Sequence, residues 1–244
     1  MPPTDTATPQ IHIASIQAGK PVPLPWKGSQ LVTGIVKHPV TGPARVSRQG
    51  LAGDGQADLR HHGGPSKALC VHPEEHYEHW SELLGDPDLP SGALGENLTT
   101  RGALEADVCI GDIWAVGTTL LQVTQPRRPC YRLAARFGND QLAPAMQRTG
   151  RTGYYLRVLQ PGSIRAGAVM TLVERRNPHV SVAEANRVMH HDRHDLDGIS
   201  TLLALPDLPA SWRISLQRRV AGRDDDSDQA RLTGTPTDSK EPHD

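Results

Sequence analysis

Cysteine is scarce in this chain of 244 residues, and no charge of one sign dominates it. Its three cysteines, Cys70, Cys109 and Cys130, are odd in number and contain no C-x-x-C. That argues against a disulfide framework and against a structural zinc site. The net charge of -1 creates no global field toward nucleic acid or a membrane surface. No apolar run approaches the ~18 residues of a membrane span. The polar stretch Met1 to Gln10 lacks the apolar core of a secretory signal. A soluble, cytoplasmic protein with neither nucleic acid nor membrane as partner is therefore expected. Lysine is also sparse, with arginine supplying 21 of the 26 basic residues. Arginine's planar fork suits oxyanions, although genome composition gives the same bias.

Among what is present, Gln125-Pro126-Arg127-Arg128-Pro129-Cys130-Tyr131-Arg132 is the most informative stretch. Pro126 and Pro129 restrict the backbone and donate no hydrogen bond, so the thiol between arginines is expected in an irregular turn. Nearby guanidinium groups favour a thiolate, the form that attacks or binds metal. Thr119 to Thr124 reads as a strand, and Tyr131 to Phe137 has helical spacing, which places Cys130 at a strand-to-helix turn. By itself Cys130 suits a buried core thiol as well as a reactive one.

The length suits one domain with a small appendage, at about 150 residues per domain. Met1 to Gln10 is expected to be disordered. From Ile11 to Asn177 short strand-like segments alternate with Gly/Pro turns: Ile11–Gln17, two within Gly34–Val46, Lys67–Val71, Asn97–Thr100, Asp112–Val116, Thr119–Thr124, Tyr154–Leu159 and Ala168–Val173. One helix is expected between Pro73 and Gly85. This pattern predicts a mainly β fold, a barrel or closed curved sheet with few helices over residues 11–176. Three helical segments follow in 177–221, at Val180–His191, Asp195–Leu205 and Pro209–Val220, with Ser181 and Glu184 spaced as a capping box. The acidic, Thr/Pro-rich remainder, 222–244, reads as a disordered tail.

Other constellations are weaker. The glycine-rich run from Gly50 to Pro65 is neither a Walker A loop nor a dinucleotide fingerprint, and a structured hairpin loop is its plainer reading. His72, His76 and His79 share helical spacing, but Pro73 puts His72 at the helix boundary, and twelve histidines make such spacing unremarkable. A zinc hydrolase built on them is a remote reading. His190, His191 and His194 are expected in solvent.

Taken in order, several segments resemble the MOSC family, the molybdenum cofactor sulfurase C-terminal domain, and especially its compact YiiM-type members. They are Gly34-Ile35-Val36-Lys37, Gly50 to Asp58, His62 to Ala68, Glu75 to Trp80, Gly95-Glu96-Asn97-Leu98, Gly111-Asp112 and Gln125 to Tyr131. The resemblance implies a MOSC-type β-barrel followed by a three-helix segment, with a molybdenum cofactor (molybdopterin with Mo) as ligand. It implies Cys130 as the thiolate ligand to the metal and catalytic residue. Lys67, Asn97, Arg127, Arg128 and Arg151 are the implied cofactor-binding residues, and His62 the candidate proton donor. The implied activity is reduction of N-hydroxylated compounds, such as hydroxylaminopurine bases. No flavin or nicotinamide motif is present, so electrons are expected from a separate protein, a flavoprotein in the first instance. Pyridoxal phosphate is often associated with the family, but nothing in the sequence marks Lys67 as a Schiff-base lysine. The alternative is a non-catalytic pterin-binding or sulfur-carrier protein using Cys130. A homodimer is compatible with either.

Overall fold

The computed structural model describes residues 10–58, 63–223 and 227–234. Seven strands close into a barrel: β1 (Gln10–Ala18), β2 (Leu69–Pro73), β3 (Leu98–Arg101), β4 (Ile113–Val116), β5 (Thr119–Pro126), β6 (Tyr154–Gln160) and β7 (Val169–Glu174). Their order is β7-β4-β5-β6-β2-β3-β1, and β1 pairs back onto β7 to complete the ring. Every barrel pairing is antiparallel except β2 with β3. Closure removes free sheet edges, and the inward residues Ile11, Ile13, Val71, Trp114, Leu121 and Leu156 fill the interior.

All seven barrel strands fall on the segments expected to be strands, with ends shifted by a few residues. Lys67 is the main exception, because Pro65–Lys67 forms a 3-10 turn before β2 begins. Pro73 ends β2 instead of opening a helix; a 3-10 turn, Glu74–His76, intervenes before α1 (Tyr77–Leu84). Gly85 ends α1 in the left-handed conformation, as expected. Gly34 to Lys37 is irregular, and only His38–Pro39 pairs there, against β1. The hairpin Val22–Trp26 with Ser29–Thr33 is unforeseen, since Pro23 and Pro25 interrupt a strand pattern yet fit a two-stranded ribbon.

Two helices pack beside the barrel mouth, α2 (Arg132–Phe137) and α3 (Leu142–Thr149). With α1 they enclose a second core built on Trp80, Leu94, Leu133, Leu142 and Met146. The C-terminal helices are α4 (Val182–Asn186), continued by a π-turn at Arg187–His191, α5 (Leu196–Ala204) and α6 (Ala210–Val220). Ser181 caps α4 by accepting from Glu184 N at 3.1 Å, while the Glu184 carboxylate turns to Arg187, so half of the capping box forms. Trp212, Leu202 and Val188 join the barrel's own core cluster, so these helices share one apolar interior with the sheet.

Two expectations about the C-terminal region need correction. Within the expected disordered tail, residues Ser227–Thr233 form a further helix, α7. Leu232 packs on the second core, and Asp228 meets arginines from three segments, which holds α7 in place. His190 is buried, not solvated, and burial lowers its pKa to about 4. The expected disorder of Met1 to Gln10 lies outside the described residues as far as Pro9, whereas Gln10 opens β1 and pairs with Thr171. Among those described, no helix is long and apolar enough to cross a membrane.

One glycine locks the barrel to its mouth. Gly153 has φ +70°, and a Cβ there would stand 2.1 Å from Val71 O. Its amide donates to Glu105 Oε1 at 2.7 Å, and its carbonyl accepts from Arg127 N at 3.0 Å. Gly153→Ala is expected to lower stability by more than about 2 kcal/mol in urea unfolding, through strain and backbone collision together.

Candidate active site

The end of β5 carries the cysteine turn into a cleft. A register shift between Val123 and Gln125 bends β5, and Thr124 Oγ1 there donates to Ser66 O at 2.6 Å. Pairing places Gln125 beside Tyr155, and Tyr155 beside Cys70, on three adjacent strands. Pro126 ends the ladder, and residues 127–130 run irregularly to Tyr131 and α2. Leu133 N donates to Cys130 O at 3.0 Å, which starts the helix. Cys130 thus occupies the expected strand-to-helix turn, 8 % exposed.

The cleft encloses about 640 Å³ of empty space, including solvent. Its walls are residues 33–37, 54–58 and 127–132, and Lys67, Cys70, Asn97 and Tyr155 close it. The first two loops approach so closely that a Cβ on Gly34 would lie 2.3 Å from Gly55 O. Residues 54–58 of the glycine-rich run therefore build part of this wall, while Gly50–Leu51 pairs in a small sheet with Ala44–Ser47.

The structure brings Lys67, Asn97, Arg127, Arg128 and Cys130 together at this cleft. Arg151 is not among the lining residues; it sits after α3, where its amide meets Thr149 Oγ1 at 3.4 Å. His62 lies outside the described residues. Lys37, Asp54, Asp58 and Tyr155 also line the cleft and were not named as site residues from the sequence, and Arg132 joins them from the cysteine stretch. For Lys37, Asp54 and Asp58 the signal was the glycine spacing around them, which marks close-packed loops without saying which side chains face inward.

A buried polar chain forms the floor. Lys37 is ion-paired with Asp54, whose carboxylate also accepts from Gly19 N at 2.9 Å and Asn97 Nδ2 at 2.9 Å. Asn97 Nδ2 further donates to Gln17 O at 3.2 Å, and Asn97 Oδ1 accepts from Cys70 N at 3.0 Å. Both amide protons of Asn97 are therefore committed to the protein. Its place is structural support for Asp54 and Lys37.

The walls are cationic. Five basic side chains, Lys37, Lys67, Arg127, Arg128 and Arg132, face two carboxylates, Asp54 and Asp58. Arg132 pairs with Asp58 at 3.1 Å, and Arg128 with Asp228 at 2.7 Å. Arg127 is buried; its Nη2 donates to Leu94 O at 2.6 Å, and its Nη1 is buried without a hydrogen-bond partner. Burial works against the Arg127 charge, yet Cys70, Tyr155, Glu96 and Cys130 in their anionic forms outweigh it and raise its pKa. Burial and the Arg128 charge lower the Lys67 pKa, against the opposing pull of Asp58 and Cys130.

The histidines of the zinc reading have protein partners. Trp80 Nε1 donates to His72 Nε2 at 3.1 Å, and His76 Nε2 lies 2.8 Å from Glu105. Among the described residues no group of three or more His, Cys, Asp or Glu is arranged to hold a metal ion. A metal here would need donors from a ligand besides Cys130.

Cys70 also lines the cleft. Burial pushes its thiol up to about 11 from a model-compound value of 9.0. Between those values the folded protein keeps a proton that the unfolded chain releases, so stability falls as pH rises through this window. The full loss is about 2–3 kcal/mol. Urea unfolding at pH 8 and pH 11 should show this slope in the wild type and a smaller one in Cys70→Ala.

Residues 58–171 match the MOSC domain model, and residues 180–223 match the YiiM-like, 3-alpha helix domain model. Protein YiiM of Escherichia coli is 40% identical over 195 residues, covering 79% of this chain and 87% of that protein. A protein named reductase in Gibberella moniliformis is 37% identical over 182 residues, which are 73% of this chain but only 32% of that longer protein. The crystal structure of YiiM from Geobacillus stearothermophilus superposes with a TM-score of 0.74 at 40% identity, covering 86% of this chain and 99% of that one. Residues 172–179, between the two matched segments, are where the barrel gives way to helices, and the chain belongs to the MOSC-domain family, among its YiiM-like members.

Proposed function

We propose that the cleft holds a molybdenum-bearing pterin and that the protein reduces N-hydroxylated compounds, of the hydroxylaminopurine type, with electrons from a separate donor protein. The observation that carries this reading is Arg127. A buried guanidinium with an unpartnered N–H, in the same cleft as Cys130, is costly unless an anionic acceptor arrives. An oxyanion on a cofactor supplies that acceptor, and the surrounding cations match its charge. A pterin-bound metal would supply the redox chemistry of N–O cleavage.

The chain's own residues bind and orient. Cys130 offers a soft sulfur suited to such a metal. Arg127, Arg128 and Lys67 hold the phosphate and oxo groups, while Asn97 acts through Asp54. Converting N–OH to N–H and water takes up two electrons, from the donor protein, and two protons. Among the described cleft residues, Lys67 has its pKa moved toward neutrality, which suits it to carry one of those protons. Similarity to one third of a longer protein named reductase supports the redox reading and leaves room for a donor outside this domain.

Full chain from a cofactor-producing host is expected to reduce hydroxylaminopurine with an artificial electron donor. Cys130→Ser should lose this turnover, and Arg127→Gln should lower cofactor retention by about tenfold or more. Retention should fall as pH rises through the lowered Lys67 pKa, below the 10.5 of a free lysine, because the anion loses a positive partner. Undiminished turnover in Cys130→Ser would overturn the assignment.

A further inference from the structure

The tail helix α7 bears directly on the loop that presents Cys130. Arg231 donates its guanidinium to Pro129 O and to Gln147 Oε1 on α3, and its carbonyl accepts from Tyr131 N at 2.9 Å. The two residues flanking Cys130 are thus both tied to Arg231. Gly234, just beyond α7, lies against the Tyr131 ring so closely that a Cβ there would stand 2.7 Å from it. At the same end, Lys27 from the hairpin tip donates to Thr233 O at 2.9 Å.

Asp228 fastens the other end. Its carboxylate meets Arg128 at 2.7 Å, Arg231 at 3.0 Å and Arg193 at 3.1 Å, with His190 Nδ1 at 3.4 Å. Arg128 belongs to the cleft wall, while Arg193 and His190 belong to the C-terminal helical segment. One carboxylate therefore joins the cleft wall to the helices. A helix of seven residues is too short to persist by itself in water. These contacts, and Leu232 on the second core, supply its stability. Loss of one charge at the junction is enough to favour local opening, because elements held by few contacts open well below the global unfolding energy.

We infer that α7 is a strap that fixes the Pro129–Tyr131 loop and limits access to the Cys130 thiol, with Asp228 as its fastening. Asp228 and Arg231 are positioning residues: neither is a lining residue of the cleft, and both act through residues next to Cys130. Release of the strap frees the loop and removes the Asp228 partner of Arg128 in the cleft wall. The inference does not depend on molybdenum, since it concerns how the thiol is covered.

The test uses full chain made in a host that cannot produce the pterin, so Cys130 carries no metal. Iodoacetamide alkylation near neutral pH is followed cysteine by cysteine by mass spectrometry. Asp228→Asn should raise the Cys130 rate by roughly tenfold or more. Asp228→Glu, which keeps the charge, should recover most of the protection. Cys109, packed 3.7 Å from Pro178 O away from the cleft, is the control and should keep its rate in both variants. An unchanged Cys130 rate in Asp228→Asn would overturn the strap. So would an increase that merely accompanies an equal one at Cys109, because that reports general loosening.

Discussion

A buried arginine sets the terms for the rest of the site. Arg127 joins the end of β5 to Gly153 through its amide and to Leu94 in the second core through its side chain. It therefore holds the barrel and the α1–α3 layer at a fixed spacing, and Cys130 lies three residues on. Burying a guanidinium costs several kcal/mol unless anions compensate it. Burial raises the pKa of both the Cys70 thiol and the Tyr155 phenol, so neither offers Arg127 a compensating anion near neutral pH. The Glu96 carboxylate is already engaged by Tyr77, Gly92 and Thr99. What remains at Arg127 is an attraction for anions in the cleft.

That constraint explains why the floor is built so elaborately. Lys37, Asp54 and Asn97 are buried polar groups that satisfy one another and connect β1, the glycine loop and the start of β3. Such a network is costly if incomplete and rigid when complete. It keeps two loops without regular secondary structure close enough to form one wall. The helical segment contributes differently: by sharing the barrel's core, it gives α7 fixed partners in Arg193 and His190.

Much of the fold was legible because the barrel strands are short apolar or β-branched runs, most of them bounded by Gly or Pro. Legibility failed where local pattern and tertiary packing disagree. Pro144 in the first turn of α3, and the small residues Ala143 and Ala145, conceal a helix whose apolar face is set by the second core. The charged run before α7 reads as unstructured because its stabilising partners are distant in sequence: Arg128 is 100 residues from Asp228. At the site, prolines and arginines drew attention to Cys130 from local chemistry alone. Lys67 and Asn97 were reached only through resemblance, as was the cofactor-binding role of Arg127 and Arg128, and all four line the cleft. Asp54 and Lys37 stayed unseen because an ion pair between loops leaves no periodic trace. Arg151, named through the same resemblance, sits in the turn after α3 and is not among the residues lining the cleft.

The central claim is that Cys130 supplies a protein sulfur to molybdenum in this arginine-walled cleft. X-ray absorption at the molybdenum edge of cofactor-loaded protein tests it most directly. The account predicts that the sulfur shell around molybdenum shrinks in Cys130→Ser, with oxygen taking the vacant place, and that Cys70→Ser leaves the shell unchanged. An identical sulfur shell in wild type and Cys130→Ser would contradict it.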